Sequence, residues 1–202
     1  LIDRTLEIKK EVFDILQPYL ENIHGIYLVG SYARNEQEED SDIDIIAISK
    51  NIKKEIISGK YSISITPLES LKRTIEKNPI LVLPRLNEAK VIINSSLLEE
   101  LKSIKTAKIS FKNFIEETKR IIKISNGFIK IDKEQKREYL DSISIIYSLI
   151  LRLRGIFLIK NLIEKKNYSK KEFSSWLKKE LSQEEFEKSY SIYKSIRDEK
   201  KV

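Results

Sequence analysis

Residues 30–49 read GSYARNEQEEDSDIDIIAIS and join a Gly-Ser turn to an alternating strand. Asp42 and Asp44 alternate with isoleucines in this strand, and the apolar run Ile-Tyr-Leu-Val at 26–29 precedes the turn. Side chains two positions apart in a strand point to the same face. The two carboxylates therefore lie close together, where their like charges cost stability unless a cation lies between them.

A metal ion and a phosphate group together explain this arrangement. Asp42 and Asp44 supply the hard oxygen ligands of Mg²⁺, which proteins usually hold with one or two carboxylates plus substrate phosphates. Gly30 and Ser31 follow a strand and open a helical turn, and the free N–H groups of such a turn bind phosphate. The stretch thus predicts a phosphate cradle beside a metal platform, which positions a nucleoside triphosphate for attack on its α-phosphate.

The same residues resemble a known signature. The motif Gly-Ser-x-Ala-Arg at 30–34, followed by Ser-Asp-Ile-Asp-Ile at 41–45, is similar to that of the DNA polymerase beta superfamily of nucleotidyltransferases, in particular the minimal and kanamycin nucleotidyltransferase types. The resemblance covers about residues 20–95. It implies an α+β nucleotidyltransferase domain with a small mixed sheet and flanking helices.

The resemblance also implies roles for individual residues. Asp42 and Asp44 are the expected catalytic residues and metal ligands, for one or two Mg²⁺ ions. ATP is the expected substrate, and Arg34 either contacts its phosphates or pairs with the acidic loop that follows. The expected nucleotide-binding residues are Gly30, Ser31, Arg34 and Ser41.

The sequence departs from the family at the third carboxylate, which usually lies on the next strand as metal ligand and general base. The strand predicted at 61–65 offers Ser62 and Ser64 on the expected face, and neither acts as a base near neutral pH without help. Binding of metal and nucleotide is therefore better supported than turnover. Three other acids remain candidates for the missing role: Glu55, Glu69 and Glu88.

Periodicity predicts the elements around this stretch. The first half should begin with a helix at 2–20 that His24-Gly25 ends, and Thr66 with Pro67 should start a helix running to about Lys77. All four prolines lie in this half. Strands are predicted at 26–29, 43–48 and 61–65, with edge strands at 80–83 and 91–93.

The second half is predicted to be helical from about residue 107. Residues 134–165 are apolar on two faces, which is typical of the central helix of a bundle. Ser169 is a predicted N-cap, and Ser182 with Glu185 a predicted capping box. We therefore expect a nucleotidyltransferase domain at 1–105 followed by an all-α helical bundle at 106–202. The latter loosely resembles HEPN-like helical domains through its run at 148–152, although it lacks the histidine of the nucleases among them.

The charge of +7 is unevenly distributed. Residues 1–95 carry 13 basic and 15 acidic side chains, whereas residues 96–202 carry 25 and 16. The basic half either faces a polyanion such as RNA or a triphosphate, or its lysines solubilise helices. Likewise, Arg152 and Arg154 either reach such a ligand or pair with nearby acids.

Composition excludes several classes of protein. The absence of cysteine excludes disulfides and thiolate chemistry, and the single histidine cannot build a His-rich metal site. No apolar run is long enough for a membrane span and no signal peptide opens the sequence, so we expect a soluble, cytoplasmic protein with no membrane contact. Lysine and glutamate enrichment fits a thermophile, or equally an AT-rich genome.

The predicted function is Mg²⁺-dependent transfer of a nucleoside monophosphate, AMP from ATP, to the hydroxyl of an unidentified acceptor. Acceptor classes that stay open are a small molecule, a protein and an RNA, and homo-oligomerisation is also open. One alternative is a catalytically weak or inactive module that binds nucleotide or protein, as in toxin–antitoxin-like pairs. Another is an RNA-binding protein that uses its basic helical half.

Overall fold

The computed structural model describes residues 4–104, 111–136 and 143–199. The chain divides into two compact units, Leu1–Ser110 and Phe111–Val202. The boundary predicted between residues 105 and 106 lies outside the described residues. Among the helices that the structure describes, none combines the length and the apolar character needed to cross a membrane.

The first unit contains a mixed five-stranded sheet with helices packed on it, which confirms the predicted fold class. Numbered along the chain with the bounds given below, the strands are arranged in the order β3-β4-β2-β1-β5. The pair β2 and β4 is parallel, and the other neighbouring pairs are antiparallel. The predicted strands at 26–29, 43–48, 61–65 and 91–93 are all present, and each is longer than predicted. The bounds are β1 Ile23–Val29, β2 Ile43–Ser49, β3 Lys54–Ser58, β4 Tyr61–Pro67 and β5 Lys90–Ile93.

Helices cover both faces of the sheet. The helix α1 (Arg4–Leu16) places Ile8, Val12 and Leu16 in one buried cluster with strand residues. The helix α5 (Ser95–Ser103) packs on β1, and α3 (Leu68–Lys77) packs on β4. Two 3-10 helices, Gln17–Asn22 and Pro79–Leu81, connect these elements. The α-helices of this unit are α1 Arg4–Leu16, α2 Gly30–Arg34, α3 Leu68–Lys77, α4 Leu83–Asn87 and α5 Ser95–Ser103.

The alternation in β2 determines which face receives the acidic residue of that strand. Ile43, Ile45 and Ala47 are buried in the cluster beneath α1. Because successive side chains of a strand point to opposite faces, Asp44 lies on the other face of the sheet. The buried isoleucines therefore fix the orientation of the carboxylate.

Two predicted helix boundaries were wrong. His24 and Gly25 do not end the first helix but lie within β1, because a 3-10 helix already ends that segment at Asn22. Thr66 and Pro67 finish β4, so α3 starts at Leu68 with Pro67 in the N-cap position. Proline fixes φ near the helical value and lacks an N–H, so it suits either position next to a helix start.

The predicted edge strand at 80–83 is also wrong. Pro79 opens a 3-10 helix and Pro84 lies in the first turn of α4, where the missing N–H of proline costs nothing. The edge strand beside β4 is β3, a strand that was not predicted from the sequence. Its side chains are mostly exposed, and Ile57 is 84% exposed, so no alternating pattern marks this strand.

The second unit is a helical bundle, as predicted, with α7 packed against each of α6, α8 and α9. One of the two apolar faces predicted for residues 134–165 is only partly buried, since Ile156 and Ile163 are exposed. The helices are α6 Lys112–Glu134, α7 Ile143–Glu164, α8 Lys170–Glu180 and α9 Gln183–Glu199.

The predicted helix caps of this unit are confirmed. The hydroxyl of Ser169 accepts a hydrogen bond from the Glu172 amide at 3.3 Å. Ser182 and Glu185 form a reciprocal capping box, with the Ser182 amide donating to the Glu185 carboxylate at 2.9 Å. Arg152 pairs with Glu117 at 3.4 Å, which agrees with pairing to nearby acids rather than with an exposed binding role.

Asn94 ties β1 to α5 through three hydrogen bonds. Its side chain accepts from the Leu97 amide at 3.0 Å and donates to the His24 carbonyl at 2.8 Å, while its own carbonyl accepts from the Tyr27 hydroxyl at 2.8 Å. Its φ of 66° lies in the left-handed region, which Asn tolerates better than most residues.

We expect Asn94→Ala to lower the free energy of unfolding by about 2 kcal/mol, because it removes the cap and leaves alanine in a left-handed conformation. Asn94→Gly loses the same side-chain contacts without the strain, so about half of that loss should remain. Urea denaturation followed by circular dichroism measures both variants. Equal stabilities for the alanine and glycine variants would contradict the strain at this position.

Candidate functional site

One end of the sheet brings the predicted site residues together. Antiparallel pairing places Val29, the last residue of β1, opposite Asp44 near the start of β2. Gly30 follows immediately and begins α2. The parallel neighbour β4 places Ser62 opposite Asp44 on the other side. The Gly-Ser turn, one predicted metal ligand and the strand expected to carry a third acid therefore meet at this end.

Gly30 is required here for two independent reasons. Its φ of +74° is a conformation that residues with a side chain rarely adopt. In addition, a Cβ atom at this position would overlap Oδ2 of Asp44. The turn therefore lies in direct contact with the half-buried carboxylate of Asp44.

Asp42 lies one residue before β2 and is exposed, so the two acids differ in their surroundings. The strand start next to it is anchored, because the Ile43 amide donates to the Lys60 carbonyl at 2.8 Å. Asp42 thus sits at the solvent end of the strand and Asp44 against the turn. Their shared role as metal ligands stays a prediction.

A buried carboxylate that the motif did not include completes the turn. Glu88 accepts a hydrogen bond from the Gly30 amide at Oε1, 2.8 Å away, and one from Arg34 at Oε2, 2.7 Å away. Its side chain is only 5% exposed. Arg34 also donates from Nε to Glu36 at 2.8 Å. Of the two roles considered for Arg34, the structure shows the pairing with the acidic loop.

Charge and burial oppose each other in this group. Burial is the largest influence on the pKa of Glu88 and raises it above its usual range, although Arg34 and the Gly30 amide act in the opposite direction. For Arg34, burial lowers the pKa, but the hydrogen bonds and charges of Glu36 and Glu88 outweigh it and raise the pKa. Arg34 therefore stays charged, and its charge is compensated within the protein.

The two serines of the predicted nucleotide-binding set lie in different settings. Ser31 is in the first turn of α2, where amides have no acceptor within the helix. Ser41 belongs to a turn of the acidic loop: its hydroxyl accepts from the Glu38 amide at 2.8 Å and its amide donates to the Glu38 carbonyl at 3.1 Å. Ser41 thus shapes the segment that leads to Asp42.

The three candidates for a third acid can now be compared. Glu55 on β3 accepts a hydrogen bond from the Ser64 hydroxyl at 2.7 Å, and so lies beside the strand expected to carry that acid. Glu69 follows the far end of β4, away from the turn. Glu88 is engaged with the turn. Within residues 4–104, 111–136 and 143–199, no group of three acidic or histidine side chains is arranged to hold a metal ion.

The donor set nevertheless fits a magnesium ion that shares its coordination with a substrate. Two carboxylates are the usual protein contribution to Mg²⁺, with phosphates and water supplying the other ligands. The absence of a Cβ atom at Gly30 leaves the backbone close to Asp44, so a phosphate can approach both. Asp42 and Asp44 would hold such an ion.

Glu88 is the residue whose role the sequence did not reveal. Its partner Gly30 is 58 positions away in the chain, and no spacing rule connects a glutamate after α4 with a turn after β1. The only signal was its presence among the acids considered for the missing carboxylate.

Several known proteins are similar to this chain in sequence or in fold. Two proteins of Methanocaldococcus jannaschii, each named putative protein adenylyltransferase, are similar in sequence. One is 36% identical over 59% of this chain and 84% of its own length. The other is 34% identical over 38% of this chain and 84% of its own length. The solved spectinomycin adenyltransferase of Enterococcus faecialis shares the fold, with a TM-score of 0.50 and 17% identity over 94% of this chain and 89% of its own.

The family model of the nucleotidyltransferase domain matches residues 8–140, most of the first unit and the start of the second. This match confirms the family expected from the two motifs, while the HEPN-like resemblance of the helical half stays a prediction. The chain belongs to the nucleotidyltransferase family of enzymes.

Proposed function

We propose that the protein transfers AMP from ATP to an acceptor hydroxyl in a Mg²⁺-dependent reaction. The observation that carries this proposal is the direct contact between the Gly30 turn and the carboxylate of Asp44. A phosphate held at the turn would lie beside the carboxylate, and a shared cation would relieve the repulsion between their negative charges.

Each residue of the site then has a distinct role. Asp42 and Asp44 would hold the metal ion, which supplies positive charge to the phosphates when bound. Because the Gly30 amide already donates to Glu88, we assign to Gly30 the close approach of backbone and phosphate, and to Ser31 the hydrogen bonds. Arg34 supports the turn, and Ser41 shapes the loop before Asp42.

The reaction forms one bond and breaks one. The acceptor oxygen attacks the α-phosphorus of ATP, and the bond between that phosphorus and the oxygen bridging to the β-phosphate breaks. Pyrophosphate leaves, and the proton of the acceptor hydroxyl passes to solvent. Positioning and electrostatic stabilisation supply almost all of the catalysis in phosphoryl transfer, and the chain would contribute to positioning by holding the triphosphate in place.

We favour a hydroxyl on a protein side chain as the acceptor. The relatives at 36% and 34% identity carry the name protein adenylyltransferase, whereas the spectinomycin enzyme is too distant in sequence to indicate an acceptor. ATP as donor agrees with the adenylyl group in the names of the two Methanocaldococcus jannaschii proteins. We place the reaction in the cytoplasm, where ATP and Mg²⁺ are available.

Labelled ATP tests the reaction directly. The chain is incubated with Mg²⁺, a soluble protein extract and ATP labelled at either the α- or the γ-phosphate. Label in protein bands from α-labelled ATP, but not from γ-labelled ATP, would show adenylyl transfer and exclude phosphorylation. Nucleotide binding without any transfer would instead support the inactive binding module.

Removing either metal-binding carboxylate should abolish transfer. We expect Asp42→Asn and Asp44→Asn each to lower the transfer rate at least about 100-fold, because the charge that holds the metal ion is lost. Circular dichroism should show an intact fold. Asp40→Asn is the matched control: it removes the same charge from the exposed loop two residues upstream and should leave the rate unchanged. An unaltered rate in Asp44→Asn would rule out its metal role.

The Gly30 turn should not tolerate a side chain at its first residue. Gly30→Ala should abolish nucleotide binding, because the added Cβ atom displaces the carboxylate of Asp44. Gly59→Ala is its matched control, since Gly59 also has a positive φ, of 55°, but a Cβ atom there meets nothing within 4 Å. That variant should lose only about 1 kcal/mol of stability and bind nucleotide normally. Calorimetric titration with ATP and Mg²⁺ measures both, and equal affinities would show that the contact with Asp44 is unimportant.

A further inference from the structure

Both carboxylate oxygens of Glu88 are committed to the segment that carries the site. Oε1 accepts the Gly30 amide at 2.8 Å and Oε2 accepts the Arg34 guanidinium at 2.7 Å. These contacts span the whole of α2, from its first residue to its last. One side chain therefore fastens both ends of the helix that follows β1.

Because the Glu88 carboxylate is buried, its stability depends on both of its hydrogen-bond donors. A carboxylate that is 5% exposed loses most of its hydration, and it is stable only when both oxygens have donors in good geometry. Conversely, the Gly30 amide and the 14%-exposed Arg34 lose a charged acceptor if Glu88 is removed. The three groups therefore adopt one arrangement together or lose it together.

The arrangement matters most at Gly30. The positive φ of this residue is a conformation with many competing alternatives, because glycine is the most flexible residue in an unconstrained chain. The hydrogen bond from its amide to Glu88 selects the conformation in which the turn lies against Asp44.

We propose that Glu88 is a positioning residue for nucleotide binding, which acts by holding the Gly30–Ser31 turn in its binding conformation before the nucleotide arrives. This inference rests on the function proposed above. Glu88 itself need not touch the nucleotide, because a turn that is ordered beforehand binds its ligand without first paying for its own ordering.

Glu36 provides a matched control within the same group. Both Glu36 and Glu88 pair with Arg34, at 2.8 and 2.7 Å, but only Glu88 accepts the Gly30 amide. Glu36→Gln and Glu88→Gln remove the same charge from the same arginine. A glutamine at 88 has one acceptor oxygen where glutamate has two, so either Gly30 or Arg34 must lose its acceptor.

Two measurements separate positioning from general stability. The first is the Kd of α,β-methylene-ATP with Mg²⁺, by calorimetry. The second is hydrogen exchange of the peptide that covers residues 29–34, without nucleotide. We expect Glu88→Gln to raise the Kd about tenfold or more and to speed exchange in this peptide, and Glu36→Gln to change the Kd by less than about twofold. A tenfold change corresponds to about 1.4 kcal/mol.

Two further variants guard against unfolding as the cause. Ile65→Val weakens the core at the other end of β4 and should leave the Kd unchanged at a temperature where the chain is folded. Glu88→Asp keeps the charge but is one methylene shorter, so it cannot keep both contacts. It should raise the Kd as Glu88→Gln does, and it replaces that variant should Glu88→Gln not fold.

The inference would be overturned by a Glu88→Gln variant with unchanged exchange and unchanged Kd. A lower Kd in that variant would also overturn it, since Glu88 would then compete with the phosphates for the turn. Equal losses in Glu36→Gln and Glu88→Gln would assign the effect to the charge of Arg34 instead. If the unaltered chain binds no nucleotide, the proposed function fails first, and this inference with it.

Discussion

The site depends on the register between β1 and β2, which sets Val29 opposite Asp44. A shift by one residue would point the Asp44 side chain into the apolar cluster beneath α1 and move Ile43 and Ile45 out of that cluster. The cost of burying an unpaired carboxylate excludes that alternative. The same isoleucines that build the core therefore hold the acid at the end of the sheet where the Gly30 turn begins.

The central part of the fold was predictable because its pattern is strong. The alternation in β4 follows from one buried and one partly open face, whereas β2 is an almost continuous apolar run that is buried on both faces. Each of these strands was found within two residues of its end. The edge strand β3 has no buried face of its own, so its sequence carries no such signal. Around Pro79 and Pro84, the context of the chain decides between strand edge and helix start, since proline suits both.

The site was predictable only as far as it is local in sequence. Gly30 and Asp44 belong to one motif, and the pairing of β1 with β2 brings these two residues into contact. The hydrogen bonds of Glu88 connect segments that are far apart in the sequence and meet only in the folded chain, so no local sequence pattern predicts these bonds. The sequence also does not reveal that the Gly30 amide donates to Glu88. Because of this bond, the predicted hydrogen bonds to phosphate are assigned to Ser31 instead of Gly30.

The strand order has a consequence for how the site would come apart. The acid-bearing strand β2 is the middle strand of five, whereas Glu88 lies two residues before β5, an edge strand with a single neighbour. Border strands detach at lower free energy than interior ones. On warming, the contacts of Glu88 with the Gly30 turn should therefore be lost before the central strand that carries Asp44 detaches.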